Sequence, residues 1–268
     1  MMRVVINGEK KETTKYFLYD ILKEFKIGGE VHIVNGFQVK EDLKIKENDA
    51  LIIIEKGKIP DRDKLELMIS ARHTPNVFEK LKCARVGIAG LGGLGSNLAI
   101  ALARTGVGNL VLVDYDVVEP SNLNRQSYFI NHLGRPKTEA LKEQISQINP
   151  YLNVEIQNCK VTQKNAAELF GGCQIVCEAF DVSQEKAMLV NTLLSEEKKI
   201  IIVAASGMAG YTSANDIKTQ KKMSRLYVCG DLENEAKQGN GLMAPRVQVC
   251  AGHQANMVLR LLLGIEQP

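Results

Sequence analysis

The 268-residue chain has no tryptophan, and its aromatic residues come to 5%. No basic run is interleaved with aromatic rings, and the formal charge of +3 is small. Nothing therefore argues for a nucleic-acid-binding surface. No apolar stretch reaches the roughly 20 residues of a membrane span. The opening Met1-Met2-Arg3-Val4-Val5-Ile6-Asn7-Gly8 turns polar too soon for a signal peptide, so a cytoplasmic address is the default expectation. Six cysteines, at 83, 159, 173, 177, 229 and 250, include no C-x-x-C pair. That argues against a zinc ribbon and a disulfide framework, and no zinc is expected. Several of them sit in apolar runs such as Ile175-Val176-Cys177, where a thiol packs as a small hydrophobe. The histidines at 32, 73, 132 and 253 have no metal-ligand spacing.

What is present belongs to an ordinary globular protein: 45% hydrophobic and 24% charged residues, enough for one large domain or two unequal ones. The chain is organised around Ala84 to Asp114. Arg85 to Ala89 is a short apolar run, followed by Gly90-Leu91-Gly92-Gly93-Leu94-Gly95-Ser96. Asn97 to Thr105 suits a buried helix, Gly106-Val107-Gly108 breaks it, and Asn109 to Val113 is a second apolar run closed by Asp114. Strand, glycine turn, helix and strand make one βαβ unit. Gly90, Gly92 and Gly95 match G-x-G-x-x-G, whose backbone N–H groups and helix N-terminus can approach a phosphate. Asp114 lies about 20 residues on, where an acid accepts hydrogen bonds from ribose hydroxyls. The alternative is a glycine turn serving only tight helix–strand packing.

Before this unit, Arg3 to Asn7 reads as a strand, Gly8-Glu9-Lys10 as a hairpin turn, and Tyr16 to Phe25 as a helix with Phe17, Leu18, Ile21, Leu22 and Phe25 on one face. Strands follow at Val31 to Val34, Phe37 to Val39 and Leu51 to Ile54. Within about 58 residues this is the β-grasp order. Residues 59–83 are charged and read as a linker and an arm, with a short helix at Lys64 to Ile69 and Arg72-His73-Thr74-Pro75 beyond it. After the βαβ unit, a helix from Pro136 to Ile148, a strand over Val154 to Val161, a short helix at Asn165 to Phe170, a strand ending at Asp181, a helix from Ser183 to Leu194 and a strand over Lys199 to Ala205 continue the alternation. The expected fold is α/β: a Rossmann-like domain (84–268) with a mainly parallel sheet, preceded by a small β-grasp domain (1–58). Beyond Ser206, Gly207 to Gly210 and Leu226 to Val228 suggest short antiparallel strands, and Ala244-Pro245 opens a last helix.

Asn122 with Arg125, Lys137 and Asp181 separate the functional readings. A dehydrogenase needs no arginine and lysine just past its second strand. A nucleotidyl transferase does, because negative charge grows on the leaving pyrophosphate. Asp181, at the end of a parallel strand, can hold Mg²⁺ between phosphates. Set against this, Arg125 and Lys137 can be solvated charges, and Asp181 can cap the next helix in a capping box with Gln184.

The N-terminal stretch, with Asn48-Asp49-Ala50-Leu51-Ile52-Ile53-Ile54, resembles a ThiS-type, ubiquitin-like sulfur carrier. Such carriers end in a free Gly-Gly carboxylate, whereas here Lys56-Gly57-Lys58-Ile59-Pro60 runs on into more chain, so this domain cannot be a working carrier. From about Lys82, Gly90 to Ser96, Gly106-Val107-Gly108-Asn109-Leu110, Asp114-Tyr115-Asp116, Ser121-Asn122-Leu123-Asn124-Arg125-Gln126 and Gly134-Arg135-Pro136-Lys137 resemble the adenylation domain of the ThiF/MoeB and ubiquitin-activating family, nearest the ThiS adenylyltransferases. The resemblance implies ATP and Mg²⁺ binding, adenylation of a sulfur carrier's C-terminal glycine for thiamine (thiazole) synthesis, and a homodimer. It implies that Gly93, Asp114 and Asp116 border the nucleotide, that Asn122, Arg125 and Lys137 hold phosphates, and that Asp181 holds the metal. It also implies an arginine from a partner subunit, for which Arg72 is the nearest match, although the spacing is shorter than usual. The family's zinc-binding cysteine pairs are missing, and Cys229 is the candidate for a carrier-accepting thiol. A nicotinamide-dependent oxidoreductase and a non-catalytic nucleotide-binding scaffold remain as alternatives.

Overall fold

The computed structural model describes residues 1–73 and 77–268, apart from the side chains of Arg62 and Asp63. The chain separates into two compact units, Met1–Glu79 and Lys80–Pro268.

The first unit contains β1 (Met2–Ile6), β2 (Glu9–Thr13), α1 (Leu18–Glu24), β3 (Val31–Val34), β4 (Phe37–Val39), β5 (Ala50–Ile54) and α2 (Arg62–Ile69). Its sheet runs β2-β1-β5-β3-β4, with β1 and β5 parallel and the other pairs antiparallel. Both hairpins turn on Asn-Gly: Asn7-Gly8 at φ 48° and 84°, and Asn35-Gly36 at 49° and 87°. Two positive φ values in succession match the right-handed twist of the flanking strands. Val4, Ile6, Leu18, Ile21, Leu51 and Ile53 form the core. The helix starts later than its apolar periodicity suggests, because Phe17 stays extended and bridges to Lys44.

After β5 the chain turns at Gly57 and enters α2, two residues longer at its start than the expected Lys64 to Ile69. A Cβ on Gly8 would lie 2.5 Å from Leu67 Cδ1, so α2 packs against the first hairpin. The segment read as a linker thus carries α2 and α3 (Val77–Lys82), and through Glu79 it belongs to the first unit. Arg72 is exposed in the turn after α2. The arm expected at Thr74-Pro75 lies outside the described residues.

The second unit contains β6 (Arg85–Ala89), α4 (Gly93–Thr105), β7 (Asn109–Val113), α5 (Lys137–Ile148), β8 (Asn153–Gln157), α6 (Ala166–Leu169), β9 (Ile175–Glu178), α7 (Ser183–Glu196), β10 (Ile201–Ala205), β11 (Lys218–Met223), β12 (Leu226–Gly230) and α8 (Ala244–Leu262). The sheet order is β11-β12-β10-β9-β6-β7-β8, parallel except for β11. From β6 the chain winds outward through β7 to β8, then returns to place β9 on β6's other side. That reversal opens a crevice at the strands' carboxyl ends.

Three expectations are corrected. Gly207 to Gly210 is not a strand, because both glycines take left-handed backbone at φ 78° and 75°. Leu226 to Val228 belongs to β12, which runs parallel to β10, and only the outer β11 is antiparallel. The strand expected to reach Val161 stops at Gln157, opposite Val113, the last paired residue of β7.

Candidate functional site

A cavity of about 310 Å³ opens in the crevice, the size of a small-ligand site. The glycine turn forms one wall. Gly90 has φ +88°, and a Cβ there would lie 2.9 Å from Ala179 O. A Cβ on Gly95 would lie 1.8 Å from Gly90 O, so its hydrogen lets α4 close onto the turn. Gly95 does not border the cavity: it acts in packing and not at the ligand. Gly90, Gly92 and Gly93 do border it, and a Cβ on Gly92 would meet no atom closer than 3.9 Å, because that side of the turn faces open space.

Asp114, just past β7, is 8% exposed. Its Oδ2 accepts from Leu91 N–H at 2.6 Å, and its Oδ1 accepts from Asp116 N–H at 2.8 Å. Burial raises its pKa, against the opposing pull of Lys137 and the two amides. Tyr128 O–H donates to Leu91 O at 2.8 Å, so Leu91 is held on both sides. The remaining lone pairs of Asp114 are what a ribose would use.

Lys137, the first residue of α5, is 6% exposed and donates to Asp116 Oδ2 at 2.8 Å. Its backbone N–H also donates to Asp116 O at 3.0 Å. Arg125 is half-buried, and its Nη1 donates to Ser121 O and Asn124 Oδ1, which are neutral acceptors. Among the described residues no carboxylate offsets its positive charge. Both cations border the cavity, as do Asp114, Asp116 and Asp181.

Asn122 does not border it. The side chain is buried, and its Oδ1 accepts from Glu119 N–H at 3.1 Å, shaping the turn that carries Arg125. Its place is behind the cavity wall. Asp181 is exposed to the cavity, and its carboxylate has no hydrogen-bond or ion-pair partner among the described residues. The capping alternative is not what forms, because Val182 occupies the N-cap of α7 with no side-chain cap. Asp181 thus presents a free carboxylate beside two cations and an open glycine turn, a donor set that suits Mg²⁺ carried by phosphates.

Cys229 is corrected as a candidate nucleophile. It is fully buried, and burial pushes its thiol up to about 11. The reactive species is a thiolate on an accessible surface. Arg72 belongs to the first unit, whereas the residues that line this cavity all belong to the second.

Sequence reasoning missed two buried polar clusters. Glu178, the last residue of β9, is 1% exposed and pairs with Lys186 of α7 at 3.0 Å. Burial raises the Glu178 pKa, and Lys186 acts against it. Arg246 of α8 pairs with Asp231 and donates to Thr212 O and Ser213 O, while Asp231 also accepts from Glu233 and Asn234 N–H. The signal was there: a glutamate ending an apolar strand, and an arginine within an apolar helix.

The ThiF family profile matches residues 66–268, and that of the ThiS-like ubiquitin matches residues 2–57. The chain is 33% identical to the molybdopterin-synthase adenylyltransferase of Haemophilus influenzae over 70% of its length and 78% of that protein's. It is 30% identical to the sulfur carrier protein ThiS adenylyltransferase of Escherichia coli, over 71% and 76% of the two chains. Among solved structures, E. coli tRNA N6-threonylcarbamoyladenosine dehydratase in complex with ATP superposes with a TM-score of 0.68 at 24% identity, covering 77% of this chain and 97% of that one, a likeness of fold. With its ubiquitin-like N-terminal unit and its α/β second unit, the chain belongs to the ThiF family of E1-like adenylyltransferases.

Proposed function

We propose that the protein binds ATP with Mg²⁺ and adenylates the C-terminal glycine of a ubiquitin-like sulfur carrier, of the ThiS type that serves thiamine (thiazole) synthesis. The observation that carries the reading is the meeting of Arg125, Lys137 and Asp181 around the open side of one glycine turn. The ThiS-like character of residues 2–57 supports the ThiS branch over the molybdopterin one.

The chemistry needs positioning more than proton transfer. A terminal carboxylate, with a pKa around 3.5, is already ionised at neutral pH and requires no general base. One of its oxygens bonds to the α-phosphorus of ATP as the bond to the bridging oxygen of pyrophosphate breaks. Holding the two in line is worth several kcal/mol. Of the turn's amides, those of Gly90 and Leu91 already donate to Val113 O and Asp114, so those of Gly92 and Gly93 face the phosphates, and Asp114 accepts from the ribose. Arg125, uncompensated by any carboxylate, offsets the charge gathering on pyrophosphate. Lys137 is steered by Asp116 toward the same space. Asp181 would hold Mg²⁺, which supplies charge neutralisation between phosphate oxygens.

The protein acts as a homodimer in this reading, supported by the exposed Phe129 and Ile130 a few residues beyond Arg125. Arg72 then completes the site of the partner subunit. Carrier-dependent exchange of labelled pyrophosphate into ATP is the test. Arg125→Ala, Lys137→Ala and Asp181→Ala should each lower it by orders of magnitude. Exchange without any carrier, or binding of NAD in preference to ATP, would sink the reading. Mixing Arg72→Ala with Asp181→Ala, subunit exchange verified, should restore up to about a quarter of the wild-type rate, as random pairing predicts. No recovery removes the role in trans.

A further inference from the structure

We infer that the buried Glu178–Lys186 pair is a positioning device for Asp181, fixing the strand-to-helix turn that presents that carboxylate to the cavity. The inference rests on the reading of Asp181 as the metal-holding residue.

Asp181 stands midway between the two partners. On the strand side, Glu178 Oε1 accepts from Phe180 N–H at 2.7 Å, which bends the chain directly before Asp181. On the helix side, Lys186 lies in the first turn of α7 and donates to both carboxylate oxygens of Glu178 at 3.0 Å. Its third proton goes to Ala205 O at 3.0 Å, at the end of the neighbouring strand β10. Lys186 borders the cavity, yet all three of its donors are engaged, so it is not a phosphate ligand. Gln254 of α8 completes the anchorage from below, donating to Glu178 O at 3.1 Å and Val203 O at 3.0 Å. The turn is fixed at both ends by Glu178 and Lys186, and the one carboxylate within it is left free. A buried ion pair is poor value as stability alone, because desolvation cancels much of its attraction. Its worth here lies in geometry.

The test measures ATP binding by calorimetry in the full-length protein over a Mg²⁺ series, with the melting temperature taken alongside. Lys186→Met should leave ATP affinity without Mg²⁺ unchanged and raise the Mg²⁺ needed for half-maximal tightening by about tenfold, which is ~1.4 kcal/mol. Saturating Mg²⁺ should close the gap, because the Asp181 carboxylate is displaced and not lost. Lys186→Arg, which keeps the charge and can bond Glu178 bidentately, should stay within about threefold of wild type. A Lys186→Met protein that melts earlier but keeps the wild-type Mg²⁺ requirement overturns the positioning role. Glu178→Gln keeps the volume and an acceptor for Phe180 N–H, and it carries the same expectation and the same refutation where Lys186→Met does not fold. Asp181→Asn should lose the Mg²⁺ effect at every concentration. If it does not, the metal reading of Asp181 is what fails.

Discussion

Gly92→Ala and Gly95→Ala add the same methyl group three residues apart and should have opposite consequences. At 95 the new Cβ would sit 1.8 Å from Gly90 O and 3.3 Å from Ile88 Cγ2. Neither neighbour is the flexible end of a long side chain, so α4 must retreat from the turn by more than about 1 Å. Leu94, Leu98, Ala99 and Leu102, on its buried face, must move with it. Alanine returns ~1 kcal/mol of helix propensity. Overpacking of this severity costs ~3 kcal/mol or more, leaving a net loss of ~2–4 kcal/mol. At ~2–4 °C per kcal/mol for a unit of this size, the second unit should melt ~4–16 °C lower in calorimetry. At 92 the nearest atom is 3.9 Å away, and the methyl group enters open cavity. Melting should shift by no more than ~2 °C, while ATP affinity falls at least about tenfold, because the methyl group occupies the approach to the amides. If Gly95→Ala melts with wild type, or if the two variants lose stability equally, the division of the glycines into packing and binding roles is wrong.

Arg246→Met should destabilise the second unit by ~3–5 kcal/mol, because it leaves Asp231 buried without its cation. Burial alone would raise the Asp231 pKa, but hydrogen bonds from Asn234 and Glu233 and the Arg246 charge hold it below the ordinary value. Its stabilisation is therefore present above about pH 3.9 and lost as the pH falls through the lower folded-state pKa. Acid titration of Arg246→Met, followed by circular dichroism, should begin its unfolding at higher pH than wild type. Tyr128→Phe should cost ~1 kcal/mol through the lost bond to Leu91 O and weaken ATP binding, measured by calorimetry. Iodoacetamide at neutral pH should label the exposed Cys83 and leave Cys229 unmodified, read by peptide mass mapping, and Cys229→Ser should keep full exchange activity.

Much of the architecture was legible because local signals and global fold agree. The first hairpin was read at Gly8-Glu9-Lys10 and turns one residue earlier, on Asn7-Gly8, while the run from Arg85 to Asp114 announces its βαβ unit through periodicity and glycine spacing. The errors lie where partners, not propensities, decide. Nothing local tells Gly207 to Gly210 from a strand, or says that Leu226 to Gly230 would insert parallel to β10. The site divides in the same way. Gly92, Asp114, Arg125, Lys137 and Asp181 were singled out from their order along the chain, and all of them border one cavity. Asn122 does not border it, because a motif gives residue types without facing, and its oxygen turns inward to Glu119 N–H. Cys229 looked accessible beside a polar loop, yet β11 and α8 cover it. Glu178 and Lys186 went unnoticed because eight positions separate them in sequence and only the strand-to-helix turn makes them neighbours.

Leu91 has its N–H fixed by Asp114 and its C=O fixed by Tyr128, with no ligand needed for either bond. The glycine turn is therefore rigid while it waits, although glycines are the residues freest to wander. On the proposed function, a phosphate reaching the Gly92 and Gly93 amides would lose nothing to the ordering of a loop. Capture would be timed by encounter and by the release of water, not by a closing motion. The slow step of turnover would then lie elsewhere, in the seating of the carrier or the departure of products.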